Sequence, residues 1–335
     1  MKNLITDIDG ILVGNATDET LKSGTTTLIC AEPMVASYAV LGGAPGTRDT
    51  DLLAPDQTVE RIDALTLSGG SAFGLDAAGG VQGWLKEQGR GFAVGPVSVP
   101  IVPAAILFDL ANGGDKNWGQ KSPYWDLGWQ AAKQAASDFA LGSHGAGSGA
   151  LIAGLKGGLG SASMRTASGI TIGALVAVNA LGQATMGESP NFWAAPFEQN
   201  REFGGLGLPA SMPPDIALPK TKMDAMQEAR GQSSNTTIGI IATDACLTKA
   251  AARRLAIMAH DGFARALWPS HTPMDGDLIF ALSTGAKDLP DNDRAFIELG
   301  AYAAATMARA IARGIYEAQP RANDIFPTWQ QKFGK

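Results

Sequence analysis

The chain has 335 residues, 45% hydrophobic and 17% charged, with 42 glycines, a composition that builds a compact core and excludes a disordered chain. A net charge of -6, with 26 basic and 32 acidic residues spread along the sequence, provides no basic stripe for nucleic acid or anionic lipid. Cys30 and Cys246 are too few for a disulfide scaffold or a zinc site and, lying in apolar runs, are expected to be buried structural thiols. The start, Met1 to Asp7, is polar where a signal peptide is apolar, and no run approaches the roughly 18 apolar residues of a membrane span, so a cytoplasmic protein without membrane contact is expected.

In chain order, Ile11 to Val13 and the β-branched run Thr25 to Cys30 predict short strands. Leu65 to Ser68 predicts a strand that breaks at Gly69-Gly70-Ser71 into a helix carrying Val81, Trp84 and Leu85 as far as Gly89. Pro96 to Pro103 is an extended, edge-like segment leading into the apolar Ala104 to Phe108, Asn112 to Pro123 is a polar loop, and Trp125 to Leu141 predicts a helix. Gly145-Ala146-Gly147-Ser148-Gly149-Ala150 imitates a dinucleotide fingerprint, but a helix precedes it and no acid lies between Ala150 and Gly187, so no nucleotide cofactor is called for. Lys156-Gly157-Gly158-Leu159-Gly160-Ser161 lacks the spacing of a phosphate loop, and Ile170 to Ala180 predicts a buried strand ending at Asn179.

From Gly187 to Ser234 the chain reads as loop, punctuated by Pro190, Pro196, Pro209, Pro213, Pro214 and Pro219. At Thr236 the pattern changes. Thr237 to Ala242 is apolar and β-branched, a strand covered on both faces, and Gly239 inside it predicts a close backbone approach. Thr248 is a candidate N-cap for a helix presenting Leu255, Met258, Ala259, Phe263 and Leu267. A polar turn, His271 to Asp277, feeds a strand at Leu278 to Leu282, and a long helix is expected from Asp293 to Ala318. Strands apolar on both faces, alternating irregularly with helices, argue for sheets between helix layers, and no linker divides the chain into independent domains.

The chemistry is narrowed by what is missing. There is no Gly-x-Ser-x-Gly elbow, and His144, His260 and His271 form no His-Glu-x-x-His or close pair, which disfavours an α/β-hydrolase or a metal site. His260 is expected on the surface of its helix or half-buried, and His271 could orient the neighbouring acids or only stabilise the turn. Without a histidine base or a metal, a hydroxyl can be activated by a free α-amine, which an amino-terminal threonine carries on the same residue. The Thr236 hydroxyl could attack the Asn235 carbonyl, shift the acyl group from nitrogen to oxygen and lose it to water. A plain polar strand start is the competing reading, and spacing alone favours it. Asp275 and Asp277, flanking Gly276, could reach the threonine together or be solvated turn residues. Asn179 at a strand end and Lys156 in a glycine-rich loop are donors of the kind that hold an oxyanion.

Together and in this order, these stretches resemble the P1 aminopeptidase family, peptidase family S58, which includes L-aminopeptidase/D-amidase enzymes, β-peptidyl aminopeptidases and nylon-oligomer hydrolases. The resemblance runs nearly end to end, through Asp7 to Thr17, Leu67 to Leu75, Val99 to Ala105, Gly145 to Gly147, Val176 to Asn179, Asn235-Thr236-Thr237 and His271 to Asp277. It implies an α+β fold, a four-layer αββα sandwich of Ntn-hydrolase type, as in aminopeptidases and ornithine acetyltransferases. It also implies one catalytic domain, 1–335, that cuts itself between Asn235 and Thr236 into an α chain, 1–235, and a β chain, 236–335. The processed heterodimers would form a homo-oligomer, a tetramer, with no cofactor and no metal.

The implied activity is hydrolysis of small peptides or amino-acid amides from their amino terminus, or of aminohexanoate (nylon) oligomers. Peptidase branches often cut between Gly and Ser and carry Ser and Glu at the acidic turn, whereas the nylon-hydrolase branch cuts between Asn and Thr. This chain has Asn235-Thr236 with Asp275 and Asp277, and its Lys156 and Asn179 fall where that branch has its catalytic Lys and Asn. Pocket residues are expected from Gly69 to Phe73, with Gly70 and Ser71 as contacts, from the Asn112 to Trp125 loop, from a neighbouring subunit, and at Phe108, where some relatives have a tyrosine whose hydroxyl this chain lacks. The alternative is an acyltransferase of the ornithine acetyltransferase type, which shares the sandwich and also cuts before threonine.

Overall fold

The computed structural model describes residues 1–214, 216–218, 220–228, 235–290 and 292–334; Pro219 and Gln232 to Ser234, expected as loop, lie outside the described residues. The elements begin with β1 (Ile11–Asp18), β2 (Ser23–Val40), β3 (Thr47–Arg48), β4 (Arg61–Ser68) and α1 (Ala77–Glu87). They continue with β5 (Phe92–Val94), β6 (Val97–Val99), β7 (Ala104–Ile106), α2 (Tyr124–Lys133), β8 (Leu151–Ile152), β9 (Leu155–Lys156), β10 (Gly158–Arg165) and β11 (Thr171–Asn179). The last third holds α3 (Lys222–Glu228), β12 (Thr236–Ala245), α4 (Lys249–Ala259), α5 (Asp261–Ala264), β13 (Leu278–Lys287), α6 (Asp293–Tyr316) and α7 (Trp329–Phe333).

The principal hydrogen-bonded path runs β10-β11-β12-β13-β2-β4-β7-β3, with β1 added to β2. The 18-residue β2 joins two sheets: Val35 to Val40 pairs with β13, whereas Thr25 to Ile29 pairs with β4, and the register slips between Ile29 and Met34. Alternation of side chains along each strand then sorts the apolar residues into three cores. Ile172, Val176, Ile241 and Ile279 face Leu255, Met307 and Ile311 of α4 and α6. The opposite faces of the same strands, Leu175, Ile238, Ile240 and Phe280, meet Leu28, Ile62, Leu65 and Leu67 from the second sheet. Behind that sheet, Ile29 and Ala64 pack on Val81, Leu85 and Ala132 of α1 and α2. Helix, sheet, sheet and helix are thus stacked in the expected αββα order, and each large side chain in the middle core contributes on the order of 2 kcal/mol by burial.

Several elements differ from expectation. The helix expected from Trp125 to Leu141 stops at Lys133, because the following backbone bonds to β1, with Val13 and Ala136 exchanging N–H···O bonds of 3.0 and 3.1 Å. The helix capped by Thr248 breaks at His260 into α4 and α5. Inside the supposed loop from Gly187 lie a short turn of helix at Ala195–Phe197 and α3. Cys246 is exposed, contrary to expectation, whereas Cys30 is buried. Among the described residues no helix is long and apolar enough to cross a membrane, and no cluster of His, Cys, Asp or Glu could hold a metal ion.

Candidate active site

Thr236 heads β12, a strand buried over all ten of its residues. By alternation its side chain shares the face of Ile238 and Ile240, toward the space between the two sheets, and the residue is only 4% exposed. The antiparallel register with β11 sets Asn179 opposite Thr236. On the other side β13 runs parallel and begins pairing at Leu278 with Ile238, so the turn just before it, Asp275-Gly276-Asp277, falls beside Asn235-Thr236. Three strand ends therefore meet at Asn235-Thr236.

The backbone of the turn is tied directly to that pair. Asn235 bridges Asp275, and its carbonyl accepts from Gly276 N–H at 3.2 Å and from the Thr236 hydroxyl. A methyl group on Gly276 would stand 2.8 Å from Thr236 Oγ1 and 2.7 Å from the Ala44 carbonyl, so only glycine fits there. Both polar atoms of the Asn235 side chain are buried with no hydrogen-bond partner among the described residues.

The two acids are held separately. Asp277 Oδ1 accepts from Thr237 N–H at 2.9 Å, and its Oδ2 accepts from the His271 backbone N–H at 3.0 Å and from His271 Nδ1 at 2.9 Å. Asp275 Oδ1 accepts from Leu181 N–H at 3.3 Å, and Oδ2 from the Thr272 N–H and hydroxyl at 3.1 and 2.6 Å. Burial, reinforced by the charge of Asp277, pushes the Asp275 carboxyl above the usual carboxylate range. His271 holds a φ of +57°, a left-handed conformation uncommon outside glycine, and its ring packs edge-on against His260 at 4.8 Å. His260 is not a surface residue: it is 2% exposed, its Nε2 meets the Ala39 carbonyl at 3.0 Å, and burial pushes its pKa down to about 4.

Asn179 Oδ1 accepts from Leu151 N–H at 2.9 Å, and its Nδ2 donates to the Phe108 carbonyl at 3.0 Å. Lys156 pairs with Leu151 in the β8–β9 hairpin, but its ammonium is turned to Asp324 at 2.7 Å. The lysine that reaches Asn179 is Lys222, which lies in the stretch expected as loop: its Nζ donates to Leu151 O, Asn179 O and Asn179 Oδ1 at 2.8, 2.9 and 3.0 Å. Complete burial pushes its pKa down to about 7, against the attraction of Asp275 and Asp109. A sequence signal for this residue existed in the capping box Thr221-x-x-Asp224. Thr221 N–H and hydroxyl donate to Asp224 Oδ2 at 2.8 and 2.7 Å, which starts α3 at Lys222.

The expected substrate contacts follow the ends of β4 and β7. Gly70, at φ +87°, donates its N–H to Asp109 Oδ1 at 2.8 Å, and Ser71, at φ +53°, donates to the Leu107 carbonyl at 2.9 Å. Phe108 is half-buried and reaches the cluster through its carbonyl. The structure therefore joins Asn235, Thr236, Asn179, Asp275, Asp277 and the Phe108 backbone by hydrogen bonds or strand pairing. Lys156 connects through Leu151, and Gly70 and Ser71 through the segment carrying Phe108.

Comparison with solved structures defines the class. A beta-aminopeptidase from Burkholderia sp. superposes with a TM-score of 0.70 at 21% identity, over 100% of this chain and 92% of the other. The L-aminopeptidase D-Ala-esterase/amidase of Ochrobactrum anthropi, described as a variant of the Ntn hydrolase fold, superposes with a TM-score of 0.70 at 19% identity, over 97% and 90%. The fold is therefore an Ntn-hydrolase-type sandwich.

The sequence profile of peptidase family S58 matches residues 3–324. An uncharacterized aminopeptidase of Mycobacterium tuberculosis (strain ATCC 25618 / H37Rv) is 42% identical over 349 residues, covering 99% of this chain and 98% of the relative. A 6-aminohexanoate-oligomer endohydrolase of Kocuria sp. (strain KY2) is 26% identical over 298 residues, covering 85% and 76%. The chain belongs to peptidase family S58 and is a hydrolase of peptide or linear amide bonds.

Proposed function

We propose that this hydrolase processes itself between Asn235 and Thr236 and then uses Thr236 as an amino-terminal nucleophile. The observation that carries the reading is the hydrogen bond from the Thr236 hydroxyl to the Asn235 carbonyl, at the buried head of a rigid strand. In the first reaction Oγ1 bonds to the Asn235 carbonyl carbon, the C–N bond breaks, and the hydroxyl proton ends on the freed Thr236 amine. Gly276 N–H, already on that carbonyl oxygen at 3.2 Å, stabilises the charge that develops there. Water then hydrolyses the ester, leaving a carboxylate on Asn235 and a free hydroxyl and amine on Thr236.

In turnover the Thr236 amine takes the hydroxyl proton as Oγ1 attacks the substrate carbonyl and passes it to the departing amine, and water releases the acyl group. Asn179, with Lys156, has the oxyanion role in both reactions, beside Gly276 N–H in the first, and Asp275 and Asp277 keep the Thr236 amine and hydroxyl in register. The Thr237 N–H bond to Asp277 and the bridge from Asn235 to Asp275 support these assignments. Substrates are small peptides, amino-acid amides or linear aminohexanoate oligomers, contacted by Gly70, Ser71 and Phe108. The processed 1–235 and 236–335 chains remain one catalytic unit, and the units assemble into a homo-oligomer.

The test is the intact mass of the purified protein together with Thr236→Ala. The expected result is two fragments, the second starting at Thr236, and one inactive full-length chain for the variant. A processed or active Thr236→Ala protein would sink the scheme.

A further inference from the structure

Lys222 is 2% exposed, and none of the roles above uses it. A lysine ammonium has three hydrogens and no acceptor, and here the three bonds go to Leu151 O, Asn179 O and Asn179 Oδ1. The second group on Asn179 Oδ1, the Leu151 N–H, is also a pure donor. Turning the Asn179 amide over would set its NH2 against an ammonium and an N–H, donor against donor. The amide thus has one stable orientation, with oxygen toward Lys222 and NH2 away from it, donating to the Phe108 carbonyl.

The lysine also ties down the chain that carries it. Its own N–H bonds to Leu181 O at 2.7 Å, so main chain and side chain of one residue grip both sides of the turn that follows β11. Ala225 and Met226 of the same helix pack with Leu151 and Phe326. From this grip only thirteen residues lead to the scissile carbonyl of Asn235.

We propose that Lys222 is a positioning residue of this site: it fixes the Asn179 amide with its NH2 as the donor and anchors the α-chain tail across the end of β11. The proposal rests on the reading of Thr236 as nucleophile and Asn179 as oxyanion donor. A lysine that only stapled the tail would act independently of the Asn179 side chain, whereas one that works through the amide loses that effect once the amide is gone.

Self-cleavage needs no external substrate, so its rate can be followed on a denaturing gel as the full chain is made in a cell-free translation. Lys222→Met is expected to slow processing about 10- to 100-fold, the scale of a misplaced catalytic group. In a double-mutant cycle, Lys222→Met should slow processing clearly less in the Asn179→Ala background than in the wild type, the remainder being its hold on the tail. Full additivity, or Lys222→Met processing at the wild-type rate, overturns the proposal.

A second variant does not depend on how well a protein tolerates loss of the lysine. Asn179→Asp keeps both acceptors for the ammonium and turns its contact with Lys222 into an ion pair, while an oxygen replaces the donor that faced the Phe108 carbonyl. It is expected to melt no lower than the wild type and to process as slowly as Asn179→Ala; wild-type processing of Asn179→Asp overturns the proposal. Failure of the underlying reading looks different, because then the wild-type chain itself yields no fragment starting at Thr236, or Thr236→Ala is still cut.

Discussion

The two sides of the Asn235–Thr236 bond are built differently. Downstream, β12 is buried along its whole length and hydrogen-bonded to β11 and β13 on its two edges, so Thr236 stands on a mount that cannot shift without breaking both ladders. Upstream, the described tail is held by the Thr221–Asp224 cap, by main chain and ammonium of Lys222, by the packing of Ala225 and Met226 on Leu151 and Phe326, and by Gly276 N–H on the Asn235 carbonyl. Among the described residues the two buried amide atoms of Asn235 have no hydrogen-bond partner. In the proposed scheme the ladder-held Thr236 side is the part that stays fixed through turnover, and the separately anchored Asn235 side is the part that leaves.

Gly276 is the sharpest place to break that contrast. Gly276→Val drives a side chain into Thr236 Oγ1 and the Ala44 carbonyl, so processing and turnover should each fall by at least about 100-fold. Its control on the mount is Gly239, where an added methyl meets the end of the Met307 side chain at 3.1 Å and the Leu175 carbonyl at an ordinary 3.5 Å, so Gly239→Ala should process normally. If both glycine variants processed alike, the contact at Thr236 Oγ1 would lose its importance. Asp277→Asn comes next. One carboxylate oxygen receives Thr237 N–H and the other both His271 donors, so an amide must set its NH2 against one of those sets. Losing a charge-assisted bond of about 1.5–3 kcal/mol should slow processing at least about 10-fold with the fold intact. An unchanged rate in the same gel assay would remove Asp277 from the machinery.

The same contrast explains what the sequence disclosed. The mount was legible because burial on both faces leaves a continuous apolar, β-branched run, as at Thr237 to Ala242 and Leu278 to Leu282. The approach of Asp275 and Asp277 to Thr236 depends on the parallel β12–β13 pairing, a long-range fact that no local pattern encodes. β10 was missed because Gly158 to Ser163 is made of small residues and one leucine, chosen for tight packing under α6. Lys222 is hidden in the sequence because dense prolines read as loop, although a capping box announces the helix. His260 was misplaced because its helix was extended past a break that turns its ring toward Ala39.

The mount has an acid limit of its own. The His260 pKa of about 4 lies below the ordinary 6.5, so the unfolded chain binds a proton between those pH values that the folded chain does not. This contribution to stability is full above pH 6.5 and is lost as pH falls toward 4, about 3 kcal/mol in all. The raised pKa of Asp275 acts with the opposite sign, since the folded chain takes up that proton first on acidification. His260→Gln keeps a donor for Ala39 and should shrink the acid loss by about 2–3 kcal/mol, measured as denaturation midpoints at pH 7 and 4.5 in the uncut Thr236→Ala chain. An equal acid loss in both proteins would contradict the assignment.

The smallest effect belongs to the tail. Thr221→Ala removes the hydroxyl that bonds Asp224 and should weaken the start of α3 by about 1 kcal/mol. Global stability should barely move, because α3 is seven residues long and the three cores lie elsewhere. Amide exchange at Ala225 and Met226 should instead quicken about fivefold, the factor that corresponds to that energy. Processing should slow by no more than the same factor, since Lys222 still grips Leu151 and Asn179 when the cap is lost. A larger loss would mean that the helix start, and not the lysine alone, sets the upstream side of the bond.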